Sequence, residues 1–167
     1  MNFSRLGRHL LAMPGAVRRA FPPSAMAAIE QAIARSETQH RGEVRFAVEA
    51  ALDASSIVAG ESARERAVEV FAQVGVWDTA ENNGVLIYLL LADRDVEIVA
   101  DRGINALAGD AEWESTCRTM EAALRRGEFE HAVLGAIEAV TRLLARHFPP
   151  RPGAERNELA DRPAILR

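Results

Sequence analysis

The sequence predicts an α/β fold: a layered α/β/α sandwich whose small mixed sheet, a parallel pair plus one antiparallel hairpin strand, is flanked by helices. Three observations carry that expectation. The apolar run 85–91, "VLIYLLL", has the length and two-sided apolarity of a central buried strand. The polar punctuation "ADRD" behind it is short enough for a hairpin into "VEIVA" (96–100), which makes those two strands antiparallel. The earlier strand "GEVRFAVEA" (42–50) is separated from the run by a helical stripe, so the first two strands are parallel with a right-handed crossover.

Taken in order, residues 1–21 form a basic arm with Arg5, Arg8, Arg18 and Arg19 and no acid. With Phe3, Leu6, Leu10 and Leu11 it is weakly amphipathic, which suits a weak contact with an anionic membrane surface or with the protein's own acidic surface. "FPPS" stops the arm, and Ser24 is the expected N-cap of a helix that shows Met26, Ile29 and Ile33 on one face and runs to about residue 37. In the first strand Val44, Phe46 and Val48 alternate with Arg45, Ala47 and Glu49, so one face is more deeply buried. "LDASSIVAGE" reads as turn. "SARE" is a capping box, Ser62 to the backbone of Glu65 and its carboxylate back, and opens a helix striped by Ala63, Ala67, Val70, Phe71 and Val74 that stops at Gly75. Trp77 is expected to pack. After the hairpin and a "GINALAG" connection, one helix runs from Asp110 to about residue 126 with Gly127 at its end, and another from 128 to 147, stopped by Pro149 and Pro150. Cys117, at helical spacing from Trp113, Met120 and Leu124, reads as a core thiol. Residues 22–148 are thus the folded domain, and the Pro- and Arg-rich 149–167 are expected to be disordered.

Composition narrows the function classes. The 167 residues are 49% hydrophobic and 26% charged, which suits one globular domain. A net charge of −4 argues against nucleic acid as a partner. One cysteine excludes an internal disulfide framework and a Cys-based zinc site. No stretch approaches the ~20 apolar residues of a membrane span. The apolar block near the start, "LLAM", is short of a signal peptide, so the expected location is cytoplasmic. His9, His40, His131 and His147 have no ligand spacing, and neither a phosphate-binding glycine loop nor a nucleophile elbow is present.

Polar residues bracket the central strand, and the hairpin sorts them into two groups. Asp93, Arg94 and Asp95 share an edge with Asp53, and short-range turn chemistry accounts for them. Asp78, Asn82, Asn83, Asp101, Asn105 and Asp110 are expected at the opposite edge, where they would offer hard oxygen ligands, with Gly84 and Gly103 allowing close backbone approach. Calcium or magnesium are the cations such ligands suit.

The stretch "NNGVLIYLLLADRDVEIVADRGINALAGDA" resembles the central signature of the TPM domain family, which includes a thylakoid-lumen acid phosphatase and a photosystem II repair factor. Asn83 and Gly84 match the opening, Asp93 and Arg94 the turn, Gly103 the second glycine and Asp110 the later acid. Asp101 stands where the family has a glycine, Arg102 where it has tyrosine and Asn105 where it has glutamate, so that glutamate's carboxylate is lost and Asp101 is the residue that would restore the charge. The resemblance implies a layered α/β domain with divalent-metal binding at the edge that carries Asp101. The expected function is a non-catalytic binding or assembly module for an unidentified protein partner. The alternative is a weak metal-assisted phosphatase acting on phosphomonoesters, with Arg102 clamping phosphate.

Overall fold

The computed structural model describes residues 3–11, 15–152 and 157–166, with nothing stated of the Phe3 side chain. The remainder of the arm and of 149–167 lies outside the described residues. The elements run α1 (Phe3–Leu10), α2 (Ala16–Ala20), α3 (Pro23–Glu37), β1 (Glu43–Glu49), α4 (Ala54–Ala59), α5 (Ala63–Gln73), β2 (Gly84–Leu90), β3 (Asp95–Ala100), α6 (Arg102–Ala108), α7 (Asp110–Arg125), α8 (Phe129–His147) and β4 (Ala164–Leu166). The sheet order is β3-β2-β1-β4. β1 and β2 are parallel with Phe46 opposite Ile87, and β2 and β3 are antiparallel with Ile87 opposite Ile98. The α/β fold and the mixed sheet are as the sequence implied.

Period-two patterning decides which side chain meets which layer. Val44, Phe46 and Val48 of β1 join Val85, Ile87 and Leu89 of β2 under α3, α7 and α8. Ala47, Leu86, Tyr88, Leu90 and Val99 face the other way, under α4 and α5. β2 is buried at every residue because both layers need it.

Local chemistry explains most helix boundaries. The Ser62–Glu65 capping box is present, and Gly75 and Gly127 take positive φ just past helix ends. Ser24 is not a cap: Pro22 occupies that position and Pro23 supplies the first helical residue, where a missing N–H costs nothing. The stretch read as turn contains α4, which Asp53 caps by accepting from Ser56 N at 2.8 Å. "GINALAG" contains α6, with Asp101 as its N-cap. Both helices are too short to show periodicity, so the cap was the legible signal. Trp77 is 56% exposed, with Nε1 donating to Ala72 O, and is no core residue. Cys117 is half-buried against the core, and burial pushes its thiol up to about 11.

Both flanks of the expected domain take part in the fold. Val17 of α2 and Phe21 are buried in the larger core, so the last part of the arm belongs to the domain. Residues 164–166, expected to be disordered, form β4 parallel to β1, with Ala47 opposite Ala164 and Glu49 opposite Leu166. Three residues behind a proline carry no periodic signal; the open edge of β1 supplies the order. None of the described helices is long and apolar enough to cross a membrane.

A buried polar relay joins α3 to α8. Ser36 Oγ lies 2.8 Å from His40 Nε2 and 2.6 Å from Thr141 Oγ1, while His40 Nδ1 is 3.0 Å from Gly42 O. The carbonyl requires the ring proton on Nδ1, which leaves Nε2 to accept from Ser36. Burial lowers the His40 pKa to about 4, against a partial opposing effect of the Gly42 hydrogen bond. Unfolded chains therefore take up a proton between about pH 6.5 and 4 that the folded chain refuses. The stabilisation is complete above pH 6.5 and lost as pH falls through 4, on the order of 3 kcal/mol in full. Glu37 runs the other way: burial raises it to about 8, so its contribution is complete below its ordinary value and lost as pH rises through 8. Urea titrations of wild type and His40→Gln across pH 4–7 should separate the two, because only wild type shows the steeper loss on acidification.

Candidate functional site

The two edges are separate, as the hairpin requires. At the first, the end of β3 turns straight into α6. Asp101 N donates to Gly84 O at 2.8 Å, Ile104 N donates to Asn82 O at 3.2 Å, and Asn105 N donates to Asp101 O at 2.9 Å. A Cβ on Gly103 would lie 2.5 Å from Asn82 O and 2.8 Å from Glu81 O, so these two carbonyls press on the first turn of α6 and only glycine fits. Asn82 itself holds a left-handed φ of 52°. Asp101 is 7% exposed. Its Oδ1 accepts from Arg102 N at 2.7 Å, while Oδ2 is buried with no hydrogen-bond partner among the described residues.

The other expected ligands divide. Asn83 is buried, with Nδ2 donating to Arg41 O at 2.8 Å, and the Arg41 guanidinium pairs with Glu81 and donates to Pro149 O. Arg41 thus ties the end of α8 to this edge, a role with no local sequence signal. Asn105 Oδ1 is taken by Trp113 Nε1 at 2.9 Å. Asp110 starts α7 and lines, with Asn105 and Trp113, a cleft of ≈ 430 Å³ that continues along β3 past Asp95 and Glu97. Asp78 is exposed in the turn after α5, and no hydrogen bond or ion pair joins it or Asp110 to Asp101 among the described residues. The Arg102 side chain is exposed beside Asp101. Among the described residues no three His, Cys, Asp or Glu side chains are placed together to hold a metal ion.

The second edge does more than turn the chain. Asp93 receives Arg5 Nε on Oδ2 and Arg8 Nη2 on Oδ1, each at 2.8 Å, and His9 Nε2 lies 3.0 Å from Oδ2. Burial alone would raise the Asp93 carboxyl, but the hydrogen bonds from Arg8, Arg5 and His9 win and hold it near 2. His9 Nδ1 accepts from Leu52 N at 2.9 Å, which leaves the ring proton on Nε2, facing Asp93. So α1 docks on the protein's own surface, and two of the arm's four arginines are spent there. Arg94 takes a left-handed φ of 53° in the turn, Asp95 opens β3 with its carboxyl raised by burial and by Glu121, and Asp53 caps α4. His9 was passed over in the sequence because a contact spanning 84 positions leaves no spacing to read.

The family model of the TPM domain matches residues 18–143. The NMR structure of the BA42 protein from the psychrophilic bacterium Bizionia argentinensis superposes with a TM-score of 0.73 at 27% identity, covering 86% of this chain and 93% of that one. A comparison with curated proteins finds no match.

Proposed function

The chain belongs to the TPM domain family, and from that premise we propose that it is a non-catalytic binding module that takes a divalent cation, calcium or magnesium, beside Asp101 and presents that edge to a protein partner. The supporting observation is Asp101 Oδ2, a buried carboxyl oxygen without a hydrogen-bond partner among the described residues. A buried polar atom left unpaired costs about 1–3 kcal/mol, more if charged, and a bound cation would remove that cost. Calcium and magnesium accept water oxygens alongside carboxylates, so one aspartate oxygen suits a site completed largely by water. Arg102 N, donating to Oδ1, fixes the carboxyl so that Oδ2 remains available. Asn105, engaged by Trp113, stays outside this ligand set.

Thermal melts with and without millimolar calcium or magnesium test the proposal. A cation bound only by the folded state at about 100 times its Kd stabilises by roughly 2.7 kcal/mol, which for a chain of this size raises Tm by several degrees. Asp101→Ala should abolish the rise. An unchanged wild-type melt, or a rise that survives the substitution, removes the site. Cation-dependent hydrolysis of a phosphomonoester by wild type, lost in Asp101→Ala, would replace the binding module by the phosphatase alternative.

A further inference from the structure

The outer edge of β1 carries chemistry that neither the cation nor the fold requires. Glu43 and Arg45 project from that strand toward the 157–166 segment, and both address the segment's main chain. The two carboxyl oxygens of Glu43 accept from Glu158 N and Leu159 N, each at 3.1 Å. Arg45 Nη1 donates to Ala160 O and to Arg162 O. Three residues of parallel ladder follow, Ala47–Glu49 against Ala164–Leu166. The side chains taken inward are apolar: Leu159, Ala164 and Leu166 pack against the smaller core, while Asn157, Ala160, Arg162 and Ile165 are exposed. Recognition through main-chain amides and carbonyls, with specificity from alternate apolar side chains, is how a sheet edge reads an extended peptide.

Two features mark a binding site rather than an ordinary strand pair. Glu43 is 4% exposed, and among the described residues its carboxyl oxygens have no hydrogen-bond donors other than those two amides. Once a segment docks and excludes water, that carboxyl has only the segment's backbone amides to satisfy it. Arg45 Nε, in turn, is buried and without a partner among the described residues, so the resident segment leaves one donor of the fork unused. The segment also lies beyond the matched family domain, which ends at residue 143.

We propose that the outer edge of β1 is a docking site for an extended peptide, filled in cis by residues 157–166 and open in trans to a partner segment with the same apolar spacing. Glu43 and Arg45 clamp the entering main chain, the ladder aligns it, and the Leu159 and Leu166 positions select apolar side chains. This inference stands apart from the cation at Asp101, and its test is run with chelator present.

In the intact chain a tethered segment competes at millimolar effective concentration, so free peptide must be tested after the tether is cut. A site-specific protease sequence in place of residues 153–156 is cleaved after folding, and a labelled peptide of residues 157–166 is titrated in. The expected result is saturable exchange, with the resident segment released. Methylating the peptide nitrogens of Glu158 and Leu159, which removes the donors to Glu43, should weaken binding at least tenfold. In the uncleaved chain, the amides of residues 158, 159 and 166 should exchange hydrogen at least a hundredfold faster than those of β2. Three results would overturn the proposal: unfolding on cleavage, failure of excess peptide to displace the segment, or equal binding of the methylated peptide. An intact chain whose segments prove exchanged between two copies would overturn it as well, because the occupant would then be a second copy.

Discussion

Arg66→Ala should lower the unfolding free energy by about 3–5 kcal/mol, the cost typical of removing one member of a buried ion pair. Arg66 grips Glu49 with both arms of its guanidinium, Nε to Oε2 at 2.9 Å and Nη2 to Oε1 at 3.0 Å, and Tyr88 OH donates to Oε2 at 2.7 Å. Glu49 is 3% exposed and Tyr88 fully buried, so water cannot replace the lost donors. Burial, together with the adjoining carboxylate, pushes the Tyr88 phenol far above its ordinary value, so it remains a donor throughout the accessible pH range. Urea titration should show a lower midpoint with an unchanged slope. The triple replacement Arg66→Met, Glu49→Leu, Tyr88→Phe supplies the decisive contrast. Apolar groups of matched volume should recover most of the loss, because what destabilises the single variant is an unpaired buried carboxylate. If Arg66→Ala costs less than about 1 kcal/mol, the pair is open to solvent and contributes no more than a surface ion pair.

The second large effect is expected at Gly84, where β2 begins. A Cβ there would fall 2.1 Å from Val76 O and 2.9 Å from Val76 Cγ1. The obstacle is backbone, and Val76 is held by its own N–H to Phe71 O at 3.1 Å. Gly84→Ala should therefore destabilise by about 3 kcal/mol, at the upper end of ordinary overpacking. It should also disturb the Asp101 edge, since Gly84 O accepts from Asp101 N. Gly135, within α8, is the matched control: a Cβ there meets nothing within 4 Å. Gly135→Ala should stabilise by roughly 0.5–1 kcal/mol, the ordinary gain from removing glycine from a helix interior. Equal signs for the two substitutions would show that the clash at Gly84 is relieved by a shift of the Val76 segment.

Much of this fold was legible because its strongest signals are local. The two-sided apolarity of residues 85–91, the four-residue "ADRD" punctuation and the Ser62–Glu65 capping box each specify an element within about ten positions of chain. What sequence reading missed is non-local or brief. β4 exists because β1 offers an edge more than a hundred positions earlier. α4 and α6 are single caps followed by six and seven helical residues, below the length at which periodicity registers. The candidate site divides the same way. The separation of Asp93 from Asp101 followed from the hairpin, and the closeness of Gly103 to other backbone was anticipated. The division of the oxygen ligands was not, because Trp113 engages Asn105 through a side-chain contact that no spacing rule contains. Asp93 was read as a turn residue, and its three cationic or ring partners from α1 became visible only in three dimensions.

The sequence distance between β1 and β4 has a consequence for synthesis. Strands β1, β2 and β3 are all complete by residue 100, whereas Ala47 cannot meet Ala164 until a further 64 residues have been made. At roughly 5–20 residues per second, the β1 edge waits some seconds on the ribosome. An open, apolar edge of that kind invites pairing with the edge of a neighbouring nascent chain. Here the edge begins with Glu43 and Arg45, opposite charges two positions apart. Until the late segment arrives they are solvated guards against association, and when it arrives the same two side chains become its hydrogen-bonding partners.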